Sequence, residues 1–439
     1  MMRSRFAVAL LIAIPFLANS QGILTLEDAI RIGLEKSYSI QIAQNNLEIA
    51  SNNNTFGNAG FLPRVDLGIN QSNSFQSWYR ENVDETTTTE SGYPTYTLGS
   101  GVQLSWTAFD GFAMFIRKEK FALYQQQSDL YLRMAIENTI ADIAYTYYSI
   151  ALNEKLALTY ENQMDLSRQR LNIAREKSKI GVGFELQVLQ SEVDFRADSA
   201  RYISQRSHLV NLKADLNRLL TREPNIDFDV NLIIPVPSSS NIGDVFFRVK
   251  ELNPTLINAR LQTQLGELEL NEARSSRYPV VNLTGAYNFS NVGTPQSQQV
   301  LLNRTYGPTL GIGATISLFN GFNANRRIAN ARIYAENQVL NLEDLSLRIN
   351  NTAFKLVNNL NQAIELVKVE EKSVVLAQRN AEAAWETYQL GAISDLELRE
   401  SQNKFLDAQT RLISAQMNAQ VAEIEILAIT GDMSGFLNK

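Results

Sequence analysis

Between Phe112 and Ile180, and again between Phe322 and Leu390, the chain contains neither glycine nor proline. A run of that length constrains the fold, because as helix it extends about 100 Å at 1.5 Å per residue, several times the radius of an ordinary domain. Apolar residues within the runs step by threes and fours, as in Ile136, Ile140, Ile143, Tyr147 and Ile150, or Leu345, Ile349, Ala353, Leu356 and Leu360. That spacing predicts helices packed along coiled-coil seams. The other faces are rich in Asn, Gln, Glu and Lys, so at least one side of each helix is wet. Each run ends in a glycine turn, Gly181–Gly183 or Gly391–Ala392, and a return helix ends near residue 220 or 430.

The runs begin alike, with "FDGF" at 109–112 and "FNGF" at 319–322. Asp110 and Asn320 suit a helix N-cap and the following glycines ease a turn. Phe109, Asp110 and Gly111, and likewise Phe319, Asn320 and Gly321, therefore mark junctions where a strand becomes a long helix. The surrounding sequence also matches in order. Pro63 stands opposite Pro279, an offset of 216, and the Phe-x-Gly-Phe turns are offset by 210. The difference falls in polar stretches, "RENVDETTTTESGYP" and "NVGTPQSQQVLLNRTYGP", that read as loops. Two copies of one unit (helix, strand, loop, strand, long helix, return helix) predict an internal duplication, with residues 21–237 and 238–439 intertwined in one domain.

The strands alternate. Val281, Leu283, Tyr287 and Phe289 fall on one face and Asn282, Thr284, Asn288 and Ser290 on the other, and Val65, Leu67 and Ile69 alternate with Asp66, Gly68 and Asn70. Alternation alone fits a soluble sandwich with a dry interior as well as a membrane barrel. Strands of about ten residues and aromatic residues near their ends (Trp78, Tyr79, Tyr96, Trp106, Tyr287, Tyr306) favour the barrel. A barrel has no free edges, and single-chain barrels begin at about eight strands, so four strands require the chain to oligomerise.

Arg3, Arg5, the apolar run "FAVALLIAIPFLA" and "ANS" before Gln21 read as a secretory signal, residues 1–20. No later segment is apolar enough for a membrane helix. Cysteine is absent, which excludes disulfides and thiolate metal sites, and the formal charge of −6 argues against nucleic acid as a partner.

In order and spacing these features resemble the TolC-like outer membrane efflux proteins. The carrying residues are "FDGF" and "FNGF", "LEKSYSI" and "LNPTL" in the leading helices, and the hairpin tip "YQLGAISDLELRESQ". The resemblance implies a mixed α and β membrane protein: a homotrimer whose long helical hairpins form a periplasmic α-barrel, and whose four strands per protomer complete a shared twelve-stranded outer-membrane β-barrel. It also implies an exit duct in contact with outer-membrane lipid, joined through a periplasmic adaptor to an inner-membrane transporter. Adaptor contact would fall at the hairpin tips, with Gly181, Gly183, Tyr388, Gly391 and Ala392. Family members narrow the tunnel with acidic residues, and the matching positions are Glu397 and Glu400. Their i, i+3 spacing shares a helical face, so three copies stack two negative rings; an ordinary solvated face is the alternative. Tyr388 keeps the family's Tyr-x-x-Gly, whereas Ser178 stands at the first tip, and Leu186, Gln187 and Ile393 do not match the polar residues that latch a closed tip.

No catalytic constellation accompanies this architecture. His208 is the lone histidine, no metal-ligand spacing occurs, and "GIGATISLFNGF" lacks the lysine of a phosphate loop. No enzyme activity and no cofactor are expected. A coiled-coil adhesin without a channel remains the competing reading.

Overall fold

The computed structural model describes residues 23–295 and 300–436; the expected signal, residues 1–20, lies outside them. Thr25 opens α1 (Leu26–Lys36), its hydroxyl accepting the Asp28 amide at 3.1 Å. The helix breaks at Ser37, resumes as α2 (Tyr38–Asn53) and closes with the single turn α3 (Phe56–Ala59). Next come β1 (Arg64–Glu81), β2 (Thr87–Asp110), α4 (Ala113–Lys179) and α5 (Glu185–Leu219). After an irregular stretch the series recurs as α6 (Ile242–Leu252), α7 (Pro254–Ser275), β3 (Val280–Gly293), β4 (Leu302–Thr315), α8 (Asn323–Gln389) and α9 (Asp395–Thr430). Both long helices contain 67 residues, as the absence of helix breakers requires, and the return helices contain 35 and 36.

Two expectations change in detail. The leading helical segments are broken rather than continuous. Pro254 excludes Asn253 from the helical region, and Asn253 turns its side chain to cap the Leu256 amide at 2.8 Å, so α7 starts afresh with proline in its first turn. The strands of the first pair are also longer than about ten residues, at 18 and 24. Most of the polar stretch expected as loop is strand: Tyr79, Arg80 and Glu81 pair with Thr89, Thr88 and Thr87 across a short turn. β-branched threonines suit that extended ladder, and a hairpin tip in water needs no apolar face.

The chain divides into two compact units, residues 42–134 with 250–350, and residues 23–41 with 135–249 and 351–436. The first holds one antiparallel sheet in the order β1-β2-β3-β4. Its register sets Leu67 beside Val102, Val102 beside Tyr287, and Leu283 beside Ile312. Val65, Leu67, Ile69, Leu310 and Ile312 are all exposed. A sandwich needs a second sheet over such residues, and the described strands form only one sheet. β1 and β4 each keep an unpaired edge.

The core of the second unit gathers Ile30, Ile143, Tyr147, Ile150, Leu216, Leu220, Ile424, Met433 and Phe436. Gly33 lets α1 lie against α4, since a Cβ there would stand 2.2 Å from Ile143 Cδ1. The Tyr147 hydroxyl donates to Leu24 O at 2.9 Å and accepts from Asn231 N at 3.0 Å, tying both irregular segments to α4.

Candidate functional site

At the first junction Gly111 and Phe112 both adopt left-handed backbone, with φ of 71° and 70°. Phe112 precedes the first helical residue of α4, so Asp110 does not occupy the N-cap position; it reaches from two residues upstream. One carboxylate oxygen accepts the Met114 amide at 3.0 Å and the other accepts Arg117 Nη2 at 2.6 Å, while Arg117 Nε donates to Ala59 O at 3.1 Å. Gly111 is sterically required, because a Cβ would stand 2.5 Å from Ser275 O and 2.9 Å from Tyr278 Cβ. The second junction repeats the backbone, with Gly321 at 65° and Phe322 at 60°, and Asn320 Oδ1 accepts the Ala324 amide at 3.3 Å. There a Cβ on Gly321 meets nothing closer than Asn323 Nδ2 at 3.7 Å. Phe109 and Phe112 meet edge to face at 5.1 Å, and Phe319 and Phe322 do so at 5.4 Å.

The two hairpin tips share one turn geometry. At the first, Val182 N donates to Lys177 O at 3.0 Å and Gly181 N to Ser178 O at 3.1 Å; at the second, Ala392 N donates to Thr387 O at 3.1 Å and Gly391 N to Tyr388 O at 3.0 Å. Each is a Schellman turn closing the long helix with glycine in the left-handed region, φ 80° at Gly181 and 75° at Gly391. Gly183 is needed for close approach, since a Cβ would lie 2.9 Å from Ser178 N. The tips then differ. Phe184 opens α5 without a side-chain cap, whereas Ser394 and Glu397 form a full capping box at α9.

That capping box decides the state of Glu397. Its carboxylate accepts Ser394 N at 2.7 Å and Ser394 Oγ at 2.8 Å, and these bonds, the backbone one first, hold its pKa below the ordinary value. Glu400, one turn on, pairs with Lys404 at 2.7 Å. Both acids are exposed, beside the buried Leu398 and Arg399.

The polar residues that join α4, α5 and α9 near the tips are ones that sequence reasoning missed. Arg170 is 1 % exposed and bonds Asp395 at 2.7 Å and Asp194 at 2.9 Å. One turn up, Arg399 holds Asp198 at 2.7 and 3.0 Å and Ser167 at 3.1 Å, and Ser167 also donates to Asp198. Burial alone lowers the Arg170 pKa, but Asp395 and Asp194 outweigh it and hold the guanidinium above its ordinary value. Tyr388 is buried beside this network, its hydroxyl bonded to Asp395 and its ring 4.6 Å from Lys177 Nζ. Burial first, and the Asp395 charge second, raise its phenol pKa. Leu186, Gln187 and Ile393 take no part in the network. The available signal was charge on a seam: Arg170 follows Ser167, and Asp194/Asp198 and Asp395/Arg399 are i, i+4 pairs facing inward.

The arrangement is a set of helical hairpins tied by buried charge and a sheet with exposed apolar residues; among the described residues no metal-binding cluster occurs. The profile of the outer membrane efflux protein family matches residues 248–432. TolC of Salmonella enteritidis is 19% identical over 384 residues, covering 85% of this chain and 75% of TolC. The Campylobacter jejuni CmeC outer membrane channel has a TM-score of 0.73 at 15% identity, covering 94% of this chain and 88% of its own. The outer membrane protein VceC from Vibrio cholerae has a TM-score of 0.72 at 16% identity, over 92% and 96%. With the junctions, the tips and the sheet in place, the second half of the chain matches the outer membrane efflux protein family, and the whole chain is similar in sequence to TolC and in fold to these outer membrane channels.

Proposed function

We propose that the protein is a passive exit duct assembled from three copies, coupled through a periplasmic adaptor to an inner-membrane transporter in tripartite efflux or type I secretion. The observation that carries this reading is the four-stranded sheet with two unpaired edges and exposed Leu67, Ile69, Leu310 and Ile312. In lipid those edges must close, and four strands are too few to close on themselves.

The junctions supply a second support. Gly111 is covered by Ser275 and Tyr278 of its own chain, whereas Gly321 is open. Shifting Ser275 and Tyr278 by the offset of 216 gives Ala59 and Leu62. On a neighbouring copy these residues occupy the open position, and the repeated unit, with copies at 21–237 and 238–439, continues around a ring. Exposed Ile333, Leu340 and Leu347, seven residues apart on α8, provide a seam for such contacts.

Cargo leaves along the helices, and Glu397 and Glu400 set charge at the aperture. Gly181, Gly183, Tyr388, Gly391 and Ala392 shape the tips, where exposed Ile180, Val182, Phe184 and Leu390 offer an apolar surface to an adaptor. Electron microscopy and native mass of the detergent-extracted protein test the assembly: a trimer with a short barrel and a hollow projection of about 100 Å supports it. A monomer or a solid rod overturns it in favour of an adhesin.

A further inference from the structure

From residue 273 to residue 335 the sequence contains six arginines (274, 277, 304, 326, 327, 332) and no Asp, Glu or Lys. Five of the six lie where the second strand pair meets its helices. Arg277 Nη2 donates to Asn325 Oδ1 at 3.0 Å, which brings the corner between α7 and β3 against the first turn of α8. Arg277, Arg326 and Arg327 are exposed there, beside the exposed rings of Phe319 and Phe322.

The first junction shows what this arrangement lacks. Arg117 stands seven residues after Asp110 and is neutralised by it at 2.6 Å, with Glu272 at 4.0 Å. Arg327 stands seven residues after Asn320, so the guanidinium recurs but the carboxylate does not. Among the described residues no carboxylate pairs with Arg326 or Arg327, and the next acid along α8 is Glu336. A neighbouring copy seated as proposed above brings the corner "NTFGNAGFL", residues 54–62, which holds no acid either. It also leaves the ring accessible: Phe112, the counterpart of Phe322, stays 54% exposed with Ser275 and Tyr278 already packed beside Gly111.

We infer that the second junction binds an anionic phospholipid of the periplasmic leaflet, with Arg277, Arg326 and Arg327 on its phosphate and Phe319 and Phe322 at the depth of its glycerol and upper acyl chains. The inference rests on the proposed membrane barrel. Guanidinium forks match phosphate oxygens in bidentate geometry. Aromatic rings next to the apolar sheet face sit at the membrane interface, and unpaired cations beside them require an anion there.

The test reconstitutes the full chain into vesicles of equal phosphatidylcholine and phosphatidylglycerol, extracts it in mild detergent, and measures retained lipid by native mass spectrometry. Wild type should enrich phosphatidylglycerol, each arginine contributing up to about fivefold. Arg277→Gln/Arg326→Gln/Arg327→Gln should abolish the enrichment. Asn320→Asp, which restores the carboxylate found at the first junction and removes no arginine, should reduce it severalfold. Equal retention of both lipids by wild type overturns the inference while leaving the barrel intact. Enrichment that survives Asn320→Asp and the triple change overturns it as well. A triple variant that loses oligomer mass but keeps the enrichment assigns these arginines to a second copy and likewise overturns it. Failure of wild type to enter either lipid sinks the membrane reading and this inference together.

Discussion

Asp198 is 1% exposed and receives two guanidinium bonds from Arg399. Removing one partner of such a pair strands a charge in a helix seam, so Asp198→Ala should cost about 3–5 kcal/mol, read as a lowered unfolding temperature of the purified protein. Asp198→Leu with Arg399→Met should recover most of that loss, because the desolvation cost leaves with both charges. Glu397 leads to a prediction in pH. Its folded pKa lies below the unfolded value, so its contribution to the tip is present above the ordinary carboxylate range and is lost as pH falls through the depressed folded value. Glu397 therefore stays charged where ordinary glutamates protonate. Cation selectivity in planar bilayers should persist to lower pH in wild type than in Ser394→Ala, and should fall at neutral pH in Glu397→Gln/Glu400→Gln. Unchanged selectivity in the double variant would remove both acids from the aperture. Glu397 and Glu400 are named only through the family resemblance, counted from Gly391, and their place at an aperture is part of the proposed function. The Arg170 and Arg399 network could not be named from sequence, because its partners lie up to 225 residues apart and a charge on a seam looks like a charge on a solvated face until the neighbouring helix is known.

At the level of elements the two junctions make a matched pair. Gly111→Ala must accommodate both a left-handed φ and a clash with Ser275 O, whereas Gly321→Ala meets only the φ. In the unassembled chain the second change should cost about 1 kcal/mol and the first distinctly more, as separate unfolding midpoints will show, and in the proposed ring, where Ala59 and Leu62 of a neighbouring copy cover Gly321, the two costs should converge. Long elements were the most legible part of the sequence. Absence of Gly and Pro gave α4 and α8 almost to the residue, and Gly391–Ala392 gave the turn before α9, while the capping box of Ser394 and Glu397 was passed over. Pro254 carries the signal for the break before α7, but nothing comparable marks Ser37, where the chain leaves the helix with neither glycine nor proline. The outer part of the first strand pair was illegible for a different reason. Periodicity reports a boundary between apolar and polar surroundings, and Thr87, Thr88 and Thr89 cross no such boundary while still completing a ladder.

For the whole molecule, the sheet face supplies the decisive substitution. Ile312 is 75% exposed, and Ile312→Arg should cost about 2–4 kcal/mol if that face meets the bilayer midplane, lowering the yield of inserted oligomer. The same change on a water-facing sheet should alter yield little. Sequence could state that four strands cannot close, but which copy meets which edge depends on surfaces that exist only after folding, such as the open side of Gly321. The two free edges of β1 and β4 also bear on how the protein reaches its final state. A single chain carries unpaired ladders, one of them 18 residues long, which are templates for unwanted pairing. On the proposed assembly its productive step is an encounter with other copies, so the rate of completion depends on local chain concentration, and a slow supply prolongs the hazardous interval. On that same proposal, overproduction that outruns assembly should yield aggregates joined edge to edge rather than unfolded chains.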